Sequence, residues 1–576
     1  MKNIKLFLYS FQRFWSIGKL YWWDSPARWR AIGLLTLYLF FLGLDSTIGV
    51  NQLKQQGDLI SALVELDGQR FWQSSFLYIG ASALLAITVA TWQYIEDKTR
   101  LYSRERLTKY YLDKYFQNNC FYKIDTLYPE IDNPDQRITE DITSFCDHSI
   151  TLFRQITLAI INLFAFGFLL WEKSKLLVLI LVVYSLGGMI ITTVGFGRIL
   201  IPLKKEQLKR EANFRFGLVR IRENVESIAF YNGAKRELTY LQQIFAPVLG
   251  IYNKVITWER NLDIFQNTYN YITWMLPALM IGPRILAGEP GLEVGSIQEA
   301  NGAFRKVFKS LSIIVRMFDF ITSFIAGIER LDHFIQVLEA PKEPLLKGAE
   351  TIDTVEEPRL NLQSLTLKTP KYERILVQDI SIELQAGEGL LIMGASGCGK
   401  SSILRAIAGL WNSRTGKIYR PPLADVLFLP QRPYMVLGSL RDQLLYPRID
   451  LKIPDSDIYR VLGQVNLPKL AERFGSLDAI EKWDNVLSTG EQQRLAFARL
   501  LLTRPAYAIL DEATSALDVE NEESLYQQLQ RLSTTYISVG HRPTLLKYHH
   551  QVLTVLADGN VVIGDDGTAS LQYKAA

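Results

Sequence analysis

The sequence predicts a membrane protein of two unlike parts: an all-α bundle of six membrane-spanning helices, then an α/β domain built around a phosphate-binding loop. Three observations predict it. Runs of about 20 mostly apolar residues, the length a helix needs to cross a bilayer core, crowd the first part of the chain. Short alternating runs such as LNLQSLTL and ISIEL take over from about Pro358. A glycine-rich loop, Gly394 to Ser401, follows directly on an apolar run. The mean hydropathy of +0.06 is therefore the average of two halves rather than a property of either.

Composition narrows the classes further. With 576 residues the chain exceeds one domain, since domains run to roughly 100–200 residues. A 48% hydrophobic content with 21% charge excludes general disorder. Three cysteines exclude a disulfide scaffold. A net charge of +4 from 63 bases and 59 acids is too balanced for a dedicated nucleic-acid binder, so no nucleic acid is expected as a partner.

The expected elements run in order. Residues 1–30 read as an amphipathic elbow lying in the interface, with Trp22, Trp23 and Trp29 at headgroup level. Residues 31–335 read as the transmembrane domain. Its candidate spans are Ala31–Val50, Phe76–Tyr94, Gln155–Trp171, Leu176–Phe196, Ile264–Ala287 and Phe304–Ile328. Only Glu172–Lys175 separates the third from the fourth, which predicts a tight helical hairpin. The fifth is interrupted by Pro277 and Pro283 and carries Arg284. The sixth is the weakest, with Arg305, Lys306, Lys309, Arg316 and Asp319, and a soluble amphipathic helix is its alternative. Charges inside a span face a bundle interior or a wet cavity, which makes Arg284, Arg316 and Asp319 the expected cavity-lining residues. Lys and Arg crowd the segments after spans two and four, whereas Glu289–Ala300 has none. That asymmetry puts the N-terminus and both long segments in the cytoplasm. The segments are helical in pattern, so the helices should extend beyond the bilayer. Residues 336–357 read as a linker and 358–576 as the nucleotide-binding domain.

Chemistry concentrates in the second part. Gly394, Ala395, Ser396, Gly397, Cys398, Gly399, Lys400 and Ser401, with Ser402 behind them, match GxxxxGK[ST] between an apolar strand and an apolar-periodic helix. Glycines let backbone N–H groups wrap phosphates, Lys400 supplies fixed positive charge, and Ser401 offers a hydroxyl to Mg²⁺. About 110 residues on, Tyr507-Ala-Ile-Leu closes on Asp511 and Glu512. Asp511 is placed to hold Mg²⁺ through water and Glu512 to polarise the attacking water. Cys398 beside Lys400 at a helix start invites a redox reading; a tolerated small residue is the plainer one.

Leu487-Ser-Thr-Gly-Glu-Gln-Gln-Arg494 resembles the LSGGQ-type signature of ABC ATPases. Gln431 in LPQRPYM is similar to the Q-loop, Ser515-Ala-Leu-Asp518 to the D-loop, and His541 in SVGHRP to the switch histidine. The resemblance implies ATP and Mg²⁺ as ligands. It implies catalytic roles for Glu512, His541 and Gln431, with Gln431 also near the metal. It implies nucleotide contacts from Ser488, Gly490 and Asp518. Two departures stand out: Thr489 replaces the usual first glycine of the signature, and the adenine-stacking aromatic is displaced, Tyr372 being the nearest one to its expected place by Thr369. His549 and His550 match nothing.

Six spans followed by one such ATPase resemble a half-transporter of exporter-type fold, which implies a working dimer, most simply two copies of the chain. Asn133–Ile142, Glu211–Leu218 and Arg222–Tyr231 resemble intracellular segments shared by two groups. One is the peroxisomal fatty-acyl-CoA transporters of ABC subfamily D. The other is bacterial transporters for cobalamin, bleomycin and antimicrobial peptides, which YWWDSPARWRAIGLL also resembles. The resemblance implies ATP-driven transport, with a bacterial inner membrane as the location, lipid and solute as partners, and both directions open. Tyr269, Asn270, Tyr271, Trp274 and Arg284 in span five suit a large hydrophilic solute such as cobalamin or a peptide. A fatty-acyl or lipid-like cargo, or a non-transporting regulator or channel, are the alternatives.

Overall fold

The computed structural model describes residues 2–128, 131, 133–313, 317–339, 351–369, 374–411 and 415–565. Two compact units result: Met1–Cys120 with Glu130–Ala340, and Phe121–Pro129 with Pro341–Ala576.

The first unit is helical. Its long elements are α1 (Lys2–Trp22), α2 (Arg28–Val64), α3 (Gly68–Phe116), α4 (Ile142–Lys173), α5 (Lys175–Ile190), α6 (Gly197–Glu223), α7 (Ala234–Leu286), α8 (Val294–Leu311) and α9 (Phe318–Glu339). At about 1.5 Å per residue, the 49 residues of α3 and 53 of α7 are far longer than a bilayer core, as the basic segments predict. Short polar caps set the turns. Asp67 accepts from Gln69 N and Arg70 N, both at 3.0 Å, and starts α3. Ser174 leaves helical geometry and accepts from Leu177 N at 3.3 Å, which closes the α4–α5 hairpin where the sequence places it.

Among the described residues four helical stretches are long and apolar enough to cross a membrane: Arg28–Val64, Gly68–Thr126, Pro134–Lys173 and Lys175–Glu223. The expected fifth span lies on α7. The expected sixth, Phe304–Ile328, crosses residues 314–316, which lie outside the described ones: before them α8 ends at Leu311 with Ser312 at its C-cap, and after them α9 begins at Phe318. α8 itself has two chemically different sides. Ala300, Ala303, Phe304, Val307 and Phe308 are buried against Phe166, Leu169, Leu177 and Ile281, while Gln298, Asn301, Arg305 and Lys309 face a cavity. A helix polar on one side scores poorly as a span even when it is packed into a bundle. The outer end of α8 sits against α2 through small residues: Gly295 N donates to Ser61 Oγ at 3.1 Å, and a Cβ on Gly295 would lie 2.0 Å from the Gly57 carbonyl oxygen.

The second unit holds two sheets. One has the order β1-β5-β2-β3, from β1 (Asp353–Glu356), β5 (Lys417–Arg420), β2 (Leu360–Lys368) and β3 (Ile375–Leu384). The other has the order β10-β9-β4-β8-β7-β6, from β10 (Val561–Asp565), β9 (Gln551–Val555), β4 (Gly389–Gly394), β8 (Thr535–Val539), β7 (Tyr507–Asp511) and β6 (Val426–Leu429). All but β10 run parallel in it. Every residue of β4 is buried, as a parallel strand covered on both faces requires. Register sets where the strands end. Ile392 pairs with Val539, Val539 with Asp511, and Leu510 with Leu429. The carboxyl ends of β4, β8, β7 and β6 therefore finish level, at the edge where open α/β sheets bind ligands.

Candidate functional site

Four strand ends deliver four motifs to that edge. β4 runs into the glycine loop and then α10 (Lys400–Ile407). Gly394, Gly397 and Gly399 take φ of 145°, 81° and 105°, a region that disfavours any residue with a Cβ. At Gly394 space forbids one as well, because a Cβ would lie 2.4 Å from the Val555 carbonyl oxygen. Ala395, Ser396 and Gly397 are exposed, whereas Lys400, Ser402 and Cys398 are buried. The Lys400 ammonium donates to the carbonyls of Gly394 and Ala395, both at 2.9 Å, so it lies folded over the loop. Cys398 packs among Val377, Ile392 and Ile403 in the apolar core. That favours the small-residue reading over the redox one.

β7 ends on the two acids. Ser401 Oγ donates to Asp511 Oδ1 at 3.2 Å. Burial pushes the Asp511 carboxyl above its ordinary pKa, and the Ser401 hydrogen bond pulls partly the other way. Glu512 leaves the strand at φ 47°, a costly conformation outside glycine that is kept where surroundings impose it. The turn aims its carboxylate between two side chains. Gln431 Nε2, just beyond β6, donates to Glu512 Oε2 at 2.8 Å, and His541 Nε2, just beyond β8, is 3.0 Å from Glu512 Oε1. Gln431, Glu512 and His541 thus form one connected group drawn from three strands.

The signature begins α11 (Thr489–Thr503). Ser488 is its N-cap, accepting from Glu491 N at 3.3 Å, while Glu491 accepts from Ser488 N at 2.9 Å. Thr489 is exposed at the first helical position. Gly490 lies against the backbone of the D-loop, where a Cβ would be 3.3 Å from the Ala516 carbonyl oxygen. Asp518 caps α12 (Val519–Gln530), and the Asn521 backbone N–H it accepts at 2.7 Å holds its carboxyl below the ordinary range. Tyr372 lies outside the described residues. Thr369 and Arg374 close that loop through a backbone bond of 2.9 Å.

One organising residue reads in the sequence only as part of the signature. Gln493, 1% exposed, donates to the Gln431 carbonyl at 3.0 Å and to Ser515 Oγ at 3.2 Å, and accepts from Ala516 N at 3.0 Å. It ties the signature helix to the Q-loop and D-loop. Its sequence signal is its place three residues after Gly490, on the face that α11 turns inward. His549 has a purely structural place: it is buried between Tyr526 and Tyr536 and bonds the Leu545 carbonyl at 2.8 Å.

The donor set fits a nucleotide with Mg²⁺. The loop is a cradle that Cβ atoms would fill, opening onto a helix N-terminus. The serine hydroxyl and carboxylate are hard oxygen donors. This suits Mg²⁺, which keeps waters and phosphate oxygens and takes only one or two protein ligands.

The first unit carries a cavity of about 950 Å³. Its lining comes from α2 (Asp45, Gln52, Gln56), α3 (Leu85), α4 (Arg154, Gln155, Asn162), α7 (Gln266, Tyr269, Asn270, Trp274) and α8 (Gln298, Asn301, Arg305, Lys306, Lys309), among others. Tyr269 is fixed by reciprocal hydrogen bonds with Tyr184, 2.8 and 2.6 Å, and by ring stacking at 4.3 Å. The expected lining is partly corrected. Arg284 is not in it: it sits in the last turn of α7, paired with Glu289 and donating to the Lys173 carbonyl at 3.1 Å. A cation at a helix C-terminus finds carbonyls and the dipole close at hand, which outcompetes the cavity. Tyr271 points away and is exposed. Arg316 and the Asp319 side chain lie outside the described residues.

A helical membrane bundle joined to a parallel sheet, with a glycine cradle and paired acids at the sheet's carboxyl edge, defines a membrane-embedded P-loop ATPase. The family follows from comparison. Residues 25–286 match the ABC transporter transmembrane region 2, and residues 377–515 match the ABC transporter domain. The chain is 43% identical over 543 residues to an uncharacterized ABC transporter ATP-binding protein of Synechocystis sp., covering 92% of this chain and 81% of that one. It is 37% identical over 615 residues to ABC transporter D family member 2, chloroplastic, of Arabidopsis thaliana, covering 94% and 86%. It is 29% identical over 552 residues to ATP-binding cassette sub-family D member 3 of Mus musculus, covering 88% and 82%. The chain belongs to the ABC transporters. It is a half-transporter resembling subfamily D, an integral membrane protein that couples ATP hydrolysis to transport.

Proposed function

We propose that two copies of this chain form a homodimer that moves a large hydrophilic solute across a bacterial plasma membrane, with the ATPase domains in the cytoplasm. The observation that carries the solute class is the cavity, whose lining includes the amides Gln52, Gln56, Gln155, Asn162, Gln266, Asn270, Gln298 and Asn301. Such groups can satisfy the hydrogen bonds of a polar cargo at bilayer depth, where an unsatisfied polar group is costly.

In this reading each ATP lies between the phosphate loop of one copy and Ser488, Gly490 and Asp518 of the other. Residues 394–402 cradle the phosphates, and Lys400 turns from the two carbonyls it now contacts to the β- and γ-phosphates. Ser401, Asp511 and Gln431 would hold Mg²⁺, which supplies charge neutralisation on the phosphate oxygens when bound. Glu512 accepts a proton from the attacking water at a carboxylate oxygen, held in aim by Gln431 and His541. Tyr372 remains the proposed adenine contact. The six-span count and the boundaries at 30, 335 and 357 belong to the same proposal.

Reconstitution tests it. Purified protein in proteoliposomes should show ATP-dependent solute movement, and its ATPase should respond to cobalamin or a peptide more than to an acyl-CoA. Hydrolysis with no movement of any solute would instead mark a non-transporting regulator or channel. A second reading, a fatty-acyl or lipid-like cargo, is favoured by the extent of the likeness to subfamily D, up to 94% of the chain; preferential stimulation by the acyl-CoA would select it.

A further inference from the structure

Glu512 is held from two sides, and each side is itself held by a buried group. On one side Gln493 binds the Gln431 carbonyl at 3.0 Å. On the other, His541 is too exposed for packing alone to fix where its ring points, so the path of its backbone matters. That path runs beside the Glu512 path. β7 and β8 pair in parallel as far as Asp511 and Val539, and the Glu512 N–H donates to the Val539 carbonyl at 3.1 Å. Past that bond both strands have ended, and the ladder no longer spaces the two chains. Glu522 takes over. It stands on α12, is 1% exposed, and uses both oxygens of its carboxylate. Oε2 accepts from the hydroxyl of Thr514, just after Glu512, at 2.8 Å, and Oε1 accepts from the hydroxyl of Thr544, just after His541, at 3.0 Å. Arg542, next to His541, adds another tie: its Nη1 lies 3.5 Å from Glu522 Oε2, and its Nη2 donates to the Ser515 carbonyl at 3.4 Å. A carboxylate is costly to bury. One that served only the helix dipole could stay in water, as the exposed Glu520 does on the same turn. Glu522 is buried instead, where it bridges the two loops that carry Glu512 and His541.

We propose that Glu522 is a positioning residue for ATP hydrolysis: by holding Arg542 and Thr544 to the chain that follows Glu512, it keeps the His541 ring 3.0 Å from the Glu512 carboxylate. At 1% exposure it has no surface to offer a nucleotide, so it acts through His541. The proposal rests on the roles given above to Glu512 and His541 and adds the group that sets their separation. It also accounts for the two threonines. A buried carboxylate needs donors, and with the Arg542 guanidinium as far off as 3.5 Å the hydroxyls of Thr514 and Thr544 supply them.

Single-turnover ATP hydrolysis and AMP-PNP binding, both on full-length protein in lipid nanodiscs, test it. Glu522→Ala should slow hydrolysis about 10- to 100-fold, the effect of a misplacement near 1 Å. AMP-PNP affinity should stay within about twofold, because the phosphate cradle hangs on β4. Glu522→Gln keeps the size and one acceptor oxygen and should recover part of the rate. Thr544→Val keeps the shape, removes a single tie, and should slow hydrolysis about two- to tenfold, the worth of one hydrogen bond; it carries the test if Glu522→Ala does not fold. The deciding comparison repeats these changes in a His541→Ala background. There Glu522→Ala and Thr544→Val should each change the remaining rate by less than about twofold, because the group they position is gone. A merely structural residue would cost the same with or without the histidine. An equal loss in both backgrounds, an unchanged rate, or a loss confined to AMP-PNP affinity would overturn the proposal and leave the roles of Glu512 and His541 in place. Undiminished hydrolysis in His541→Ala itself would remove the histidine's role, and the proposal with it.

Discussion

The edge of the parallel sheet and the cavity of the helical unit solve opposite problems. At the sheet edge the polar groups already satisfy one another: Ser401 with Asp511, Gln431 and His541 with Glu512, Lys400 with two carbonyls. Their positions are dictated by strand register, which is rigid. In the cavity the polar groups come from four helices, and the Ser312 hydroxyl and the Asn301 carbonyl oxygen have no hydrogen-bond partner among the described residues. A site that meets the same nucleotide in every cycle can be assembled in advance, and preorganisation strengthens it. A site that must take up and release cargo gains from leaving part of its bonding to the cargo.

Breaking the preassembled site should have the larger effect. Glu512→Gln keeps both hydrogen-bonding neighbours within reach but removes the proton acceptor. Phosphate release should fall about 10³-fold, within the range general-base removal produces, while ATP binding persists. Normal turnover would remove Glu512 from the role. Lys400→Ala should come next, weakening ATP about 10- to 100-fold by losing a charge-assisted contact. It should do so without unfolding the sheet, because of the two carbonyls it leaves one, that of Ala395, is in the exposed loop and only the other, that of Gly394, ends the buried strand β4. Isothermal titration checks this, and undiminished affinity would exclude the lysine from the phosphates.

A pH experiment sharpens the contrast between groups that serve chemistry and groups that serve packing. Burial lowers the pKa of His549 to about 4 from an ordinary value of 6.5. Its folded state therefore holds fewer protons than its unfolded state between those values. The stability it contributes is present in full above about pH 6.5 and is lost as pH falls towards 4, with a slope of up to about 1.4 kcal/mol per pH unit. His549→Phe keeps the ring between Tyr526 and Tyr536 but titrates nothing. Near pH 7 it should be the less stable form, by about 1 kcal/mol for the lost Leu545 hydrogen bond. The gap should close as the pH drops, followed by the unfolding temperature of both proteins from pH 7.5 to 4.5. A constant gap would show that His549 is charged or solvated in the native state.

The same contrast explains what was legible in the sequence. Gly394–Ser401, Asp511, Glu512, Gln431 and His541 each sit on a contiguous motif, so the site can be assembled on paper before any fold is known. Gln493 was visible in its motif but its linking role was not, because that depends on which face α11 buries. The cavity has no local motif. Arg284 reads as an intramembrane charge, yet its ion pair lies five residues on at Glu289. Arg305, Lys306 and Lys309 read as marks of a weak span, when the stripe from Gln298 through Asn301, Arg305 and Lys309 to Ser312 was the better signal. A helical period in polar residues inside an apolar bundle is the mirror image of the usual amphipathic pattern. The α4–α5 hairpin was legible because four residues leave no other path; the end of α8 at Ser312 was not, because nothing in the local sequence demands it.

The smallest expected effect falls on the signature's departure from its usual pattern. Thr489 replaces a glycine, which suggests a site altered for ATP. Its setting argues otherwise. Ser488, not Thr489, caps α11, and Glu491 completes the box. The Thr489 side chain is exposed and among the described residues makes no hydrogen bond. What the position offers a phosphate is its backbone N–H at a helix N-terminus, which threonine and glycine supply equally. Thr489→Gly should therefore destabilise the domain by under about 0.5 kcal/mol through helix propensity alone. Apparent ATP affinity should move by no more than about twofold, a difference near 0.4 kcal/mol. Steady-state hydrolysis against ATP concentration checks it. A gain of tenfold or more would mean that the threonine obstructs the nucleotide, and the signature would then belong with the cavity, among the sites that this chain leaves incompletely assembled.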